Sequence, residues 1–105
     1  MSTTEIISRY NNAFQFHEPD LLDDVIAEDC VVENVDGTRH EGKGVALKWW
    51  RALAADPQVV FDLGDVDVLG DRAIIRWRLG QTEGVNIMRV ADGKIVEGLG
   101  YVKAA

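Results

Sequence analysis

The sequence predicts an α+β fold, with helices packed on one face of a curved antiparallel sheet. Three observations predict it. Apolar residues recur at helical spacing in the first half, beginning with Ile6, Ile7, Tyr10, Phe14 and His17. In the second half, the run from Arg72 to Leu79 separates Ala73, Ile75, Trp77 and Leu79 from Arg72, Ile74, Arg76 and Arg78 on alternate faces. Tight-turn signals divide that half, and Asp92-Gly93 is the strongest. The chain has 105 residues, 47% of them hydrophobic, which suits one domain over residues 1–105.

The elements follow in order. Thr3 or Thr4 can cap a first helix, which ends near His17. Glu18-Pro19-Asp20 breaks and restarts the chain, since proline is tolerated in a first helical turn. A short second helix presents Leu21, Leu22, Val25 and Ile26 and ends near Glu28-Asp29. Cys30 to Val35 is a β-branched strand, turned by Asp36-Gly37, with a brief return over Thr38 to Glu41. A third helix spans about Val45 to Ala55 and stops at Asp56-Pro57, because the residue before proline avoids helical angles. Four strands follow: Gln58 to Val68 with a bulge at Gly64, Arg72 to Leu79, Val85 to Val90, and Lys94 to Val102.

Composition narrows the function. Eleven basic against 18 acidic side chains leave a formal charge of −7, which repels phosphate backbones and anionic lipid. Nucleic-acid and membrane partners are therefore not expected. One cysteine, Cys30, allows no internal disulfide and no multi-cysteine metal site. His17 and His40 lack the spacing of a metal pair, and Gly42-Lys43-Gly44 is too short for a phosphate loop. The N-terminal Met-Ser-Thr-Thr-Glu has no basic patch ahead of an apolar run, so a cytoplasmic location is expected.

Element order and short segments together resemble a known superfamily. Arg9-Tyr10 lies in the first helix. Ala27-Glu28-Asp29 leads into Val32-Glu33-Asn34. Val85-Asn86-Ile87-Met88-Arg89-Val90 leads into Asp92-Gly93-Lys94-Ile95-Val96. In these the chain is similar to the NTF2-like superfamily, in the branch of SnoaL-like polyketide cyclases and ketosteroid isomerases. The resemblance implies a cone-shaped roll: a curved antiparallel sheet against three helices of the N-terminal half, with a cavity between them. It also implies a homodimer.

By the same resemblance, the tyrosine that holds an enolate oxygen in the isomerases matches Tyr10. Their base matches Asn34 and their protonated aspartic acid matches Asn86. An amide is no base at neutral pH, so the step that defines an isomerase is lost. An amide N–H₂ still donates as a neutral acid does. Limonene-epoxide hydrolases share the fold and the asparagine. Their arginine and aspartate places hold Gly84 and Asn86, so that activity is not implied either.

The remaining candidates come from faces. Trp50 takes a cavity position in the family pattern, and Trp77 lies on the interior face of its strand. Met88 shares a face with Asn86. Glu97 shares one with Ile95, Leu99 and Tyr101, and alternation leaves both faces open because the opposite one is small and apolar. If inward, Glu97 is the carboxylate for proton transfer. The expected catalytic residues are thus Glu97 and Tyr10. The expected ligand-binding residues are Asn34, Asn86, Trp50, Trp77 and Met88. The ligand is a mostly apolar ring compound, any chemistry is cofactor-free and metal-free, and its class is isomerisation, cyclisation or hydration. The alternative is a non-catalytic module that dimerises through Arg72, Ile74, Arg76 and Arg78 on the outer sheet face.

Overall fold

Ser2, not Thr3 or Thr4, starts the first helix. In the computed structural model, which describes residues 1–104, helix α1 spans Thr3–Gln15. The Ser2 hydroxyl accepts from the Glu5 N–H, and the Glu5 carboxylate accepts from the Ser2 N–H, both at 3.1 Å. Ser-x-x-Glu is a capping box, which satisfies two N–H groups that the first turn leaves open. At the other end His17 takes a left-handed φ of 53°, and the Glu18 N–H reaches the Ala13 carbonyl at 2.9 Å. That six-to-one bond closes the helix C-terminus. His17 therefore lies past α1, and its Nδ1 sits 3.0 Å from the Ala54 carbonyl.

The expected second helix is a single 3₁₀ turn, Pro19–Leu22. Val25 and Ile26 belong instead to the approach and start of strand β1, Ile26–Glu33. The Ile95 N–H reaches the Val25 carbonyl at 2.7 Å, and Ile26 pairs with Ile95. A long-range sheet partner has overridden a local helical spacing. Strand β2 is Arg39–Glu41 and helix α2 is Lys43–Ala55. Strands β3 (Asp62–Leu69), β4 (Arg72–Leu79), β5 (Thr82–Ala91) and β6 (Lys94–Val102) complete the chain. The β3–β4 register shifts between Leu63 and Val66, where a bulge at Gly64 is expected.

The six strands form one sheet in the order β2-β1-β6-β5-β4-β3. Neighbours are antiparallel except β1 and β6, which run parallel, so the sheet is mixed. Consecutive strands joined by tight turns must run antiparallel. β6 meets β1 after the whole chain has gone round, and no turn constrains that pair. Helices α1 and α2 and the 3₁₀ turn lie against the inner face. Arg51 of α2 ties the turn down through Asp23 at 2.7 Å and Asp20 at 2.8 Å. Arg9 of α1 holds Asp24 at 3.0 Å.

One end of this roll is filled. Ile6, Ile7, Leu22, Val25, Ile26, Cys30, Met88 and Ile95 are all buried there. Burial pushes the Cys30 thiol up to about 12, with help from the charges of Asp29 and Glu97.

Candidate functional site

The other end is hollow. A cavity of about 260 Å³ opens between α1, α2 and the ends of β1, β4, β5 and β6. Tyr10, Asn34, Asn86, Trp50 and Trp77 all line it. Backbone alternation explains the set. Trp77 pairs with Gly84, Ile75 with Asn86, and Asn86 with Gly100, so one pleat carries them all inward. Tyr10 enters from α1 one turn after Ile6 and Ile7. Trp50 enters from the buried stripe of α2 with Ala46 and Ala54. Trp49, next in sequence, points about 100° away and is 41% exposed. It borders the cavity and stacks on His40, with centroids 5.7 Å apart.

Glycines make the room. A Cβ on Gly84 would lie 2.2 Å from the Trp77 ring, and one on Gly98 would lie 2.8 Å from the Trp50 ring. No real contact is that short, so each indole occupies the space a side chain would take. The aromatic rings then meet around the hollow, tilted in the first pair and edge to face in the next two. Tyr10 lies 4.9 Å from Phe14, Phe14 lies 6.0 Å from Phe61, and Phe61 lies 5.4 Å from Trp77. Gln15 Nε2 fixes the segment carrying Phe61 by donating to its carbonyl at 2.9 Å.

Hydrogen bonds complete this belt. Trp77 Nε1–H donates to Asn86 Oδ1 at 3.1 Å, and Asn86 Nδ2–H donates to the Tyr10 hydroxyl oxygen at 3.3 Å. The directions are forced. An indole N–H can only donate, so the amide oxygen must face it. The amide nitrogen must then face Tyr10, whose oxygen accepts. The Tyr10 hydrogen has no acceptor among the described residues. Burial also pushes the Tyr10 phenol far above its ordinary range, against the opposing Asn86 bond. Tyr10 is therefore a neutral O–H donor at any physiological pH.

Two expected residues fall outside the cavity. Met88 is fully buried on the inward face, but it belongs to the filled end. Glu97 is a correction. Ile95 pairs with Val90 and Glu97 with Arg89, so β6 carries an extra residue at Val96. That bulge reverses the alternation, putting Gly98 and Gly100 inward and Glu97 on the outer face opposite Arg89. Among the described residues Glu33 is the one carboxylate residue along the cavity wall, and its side chain turns outward to Arg39 at 3.6 Å. No carboxylate is therefore aimed into the cavity from the described residues. Nor do three His, Cys, Asp or Glu side chains gather as a metal ion would need among the described residues.

Phe14, Phe61 and Gly98 also line the cavity, His40 and Gly84 meet its Asn34 and Trp77, and sequence spacing marks none of the five as a binding residue. Counting the hairpin from Asp36-Gly37 finds one of them. Asn34 N–H reaches the Thr38 carbonyl at 2.8 Å and Val32 pairs with His40, so His40 lies diagonally across from Asn34 on one face.

This geometry belongs to a described family. The SnoaL-like domain model matches residues 7–98. The chain belongs to the SnoaL-like domain family, within the NTF2-like fold. An NTF2-like protein of unknown function from Mesorhizobium loti is 47% identical. It has a TM-score of 0.93, over 97% of this chain and 91% of that one. Protein SMa1630 from Sinorhizobium meliloti, which carries a polyketide cyclase assignment, is 26% identical. Its TM-score is 0.78, over 95% of this chain and 99% of its own. IdmH from Streptomyces antibioticus, with the same assignment, is 21% identical with a TM-score of 0.78, over 98% and 93%, and shares the fold. A comparison with curated proteins finds no match.

Proposed function

We propose that this protein binds a small, mostly apolar ring compound through a carbonyl or other acceptor oxygen seated at Tyr10. The observation that carries this is the unspent Tyr10 O–H at the end of the Trp77–Asn86–Tyr10 chain. Each bond in such a chain polarises the next, so the terminal phenol is a stronger donor than an isolated one. Aromatic edges and apolar walls lower the polarity around it, which strengthens the bond further. At about 260 Å³ the cavity falls just below the range usual for drug-sized ligands, which favours one or two rings over a steroid.

Chemistry at this site rests on polarising the ligand oxygen. A hydrogen bond that strengthens as an enolate forms lowers the barrier to isomerisation, cyclisation or hydration. No carboxylate base is positioned, so the proton must come from the ligand itself or from water. The family relationship and the polyketide cyclase assignments of SMa1630 and IdmH support the ligand class. The test is quenching of tryptophan fluorescence by 1-indanone, cyclohexanone and indane. Saturable quenching by the ketones, weakened about tenfold in Tyr10→Phe, supports the reading. Equal affinity for indane and indanone counts against it.

We also propose that two copies join through the outer sheet face in the cytoplasm. Ile74 and Tyr101 are exposed there, 38% and 44%, on the face that carries Arg76. Sedimentation over a dilution series tests this. A monomer at all micromolar concentrations removes it.

A further inference from the structure

We propose that His40 is a positioning residue that decides which end of the Asn34 amide the cavity presents. As a contribution to ligand choice this rests on the binding reading above. As a property of the two side chains it stands alone.

Asn34 follows β1 and His40 lies in β2, across one hairpin. Asn34 Nδ2 and His40 Nε2 are 3.1 Å apart. An amide nitrogen only donates, so Nε2 must offer its lone pair, and neutral His40 must carry its proton on Nδ1. The other end of the amide, Oδ1, makes no side-chain hydrogen bond among the described residues. Asn34 lines the cavity, and we take that oxygen as the acceptor it offers there. Trp49 stacks on the imidazole at 24° and holds its plane, so ring rotation is a poor escape.

Protonation changes the arithmetic. The imidazolium carries N–H on both nitrogens. Two donors then face each other across 3.1 Å. The amide relieves this by turning over, which gives Oδ1 to His40 and Nδ2 to the cavity. Charged groups around the ring are few. Asp36, in the hairpin turn, is held below the usual carboxylate range mainly by bonds from Thr38, with a smaller contribution from His40. Glu33 of β1 and Glu41 of β2 are both engaged with Arg39. From α2 the stacked face is the neutral Trp49. Lys43 and Arg51 of that helix are paired with Glu28 and with Asp20 and Asp23, while Lys48 is exposed.

Beside the amides of Asn11 and Gln15 that also line the cavity, Tyr10 presents a donor and, with neutral His40, Asn34 presents an acceptor. That pair fits a ring compound bearing both a carbonyl and a hydroxyl. With protonated His40 it offers two donors, which fits a dicarbonyl. Hydroxy-ketone against diketone is therefore the distinction that Asn34 and His40 draw.

Nuclear magnetic resonance of the unliganded protein tests the device directly. With the ring neutral, the His40 ring nitrogens should report the Nδ1–H tautomer, with cross-peaks from the Asn34 amide protons to the ring. As acid is added until the ring carries both protons, those cross-peaks should vanish. His40→Phe keeps a stacked ring without nitrogens, and its Asn34 amide signals should not move with pH. An Nε2–H tautomer at high pH overturns the proposal. So do cross-peaks that survive the titration, or Asn34 shifts that still follow pH in His40→Phe. Binding separates the two readings. Monohydroxy-1-indanones should bind about tenfold tighter than 1-indanone while the spectra show a neutral ring, with the preference shrinking once they show it protonated. If 1-indanone itself does not bind, the ligand reading fails, and the spectra alone decide the role of His40.

Discussion

The two ends of the roll use the same sheet face and reach opposite results. Toward the β1 and β6 starts, inward positions carry Ile26, Ile95, Val90, Met88 and Ala73, all buried and close-packed. Toward the other end the inward positions are Trp77, Gly84, Asn86, Gly98 and Gly100. Flexible aliphatic chains interdigitate and leave no void. Flat indoles laid over glycines cannot, because a rigid plane spans a gap that it does not fill. The hollow is thus made by a change of side-chain shape along one continuous face, with no change of backbone architecture.

The largest expected effect tests the filled end. Met88→Ala should destabilise the protein by about 2–5 kcal/mol, since a buried methionine leaves a new void behind. Leu79→Ala borders a space that is already open and should cost less than half as much. Urea denaturation of both variants checks the contrast. Equal losses would mean that the two ends are packed alike.

Gly84→Ala comes next. The new methyl group collides with the Trp77 ring, so the indole must leave, and Asn86 Oδ1 loses its donor. Overpacking of this kind should cost about 1–3 kcal/mol, and ketone quenching should be lost with it. A variant that binds ketone as the parent does would break the link between the glycine and the site.

Alkaline pH gives a smaller effect. The fold holds both Cys30 and Tyr10 protonated beyond the pH at which the unfolded chain releases those protons, ordinarily 9.0 and 10.0. Stability is then complete below about pH 9 and falls as pH rises toward 12, at about 1.4 kcal/mol per pH unit for each group once fully engaged. Cys30→Ala should flatten the first part of the decline, and Tyr10→Phe the part above pH 10. Unfolding curves across pH 8 to about 11 measure it. A stability that rises over this interval would contradict the burial of both groups.

The smallest effect is expected at Glu97. It lies on the outer face, opposite Arg89, so Glu97→Gln should leave ketone affinity within about twofold. A loss of about tenfold would return a carboxylate to the mechanism.

The residues that were legible in advance share a feature. Strands β4 and β6 match their expected limits because two-residue turns bound them and alternation marks their faces. The 3₁₀ turn was hidden because Leu21, Leu22, Val25 and Ile26 suit a helix locally, and only pairing with Ile95 makes Ile26 a strand residue. Alternation leaves the face of Glu97 open, and one extra residue decides it. A bulge leaves no mark in composition, yet it exchanges the faces of everything before and after it. His40 reads in the sequence only as a metal-ligand candidate without a partner, because Asn34 becomes its neighbour only through the hairpin register.

What the sequence determined by itself is therefore the local content. Helix periodicity, β-branched runs and turn residues act over a few neighbours, and they sufficed for the α+β order and for placing Tyr10 and Trp77 toward the interior, while the place of Trp50 came from the family resemblance. Tertiary structure alone decided that β1 runs parallel to β6, that Val96 bulges, and that Gly84 and Gly98 lie beneath indoles. Those outcomes depend on contacts between residues far apart in the chain. Such contacts are chosen by the packing of the whole core, and no local window contains the energy that selects them.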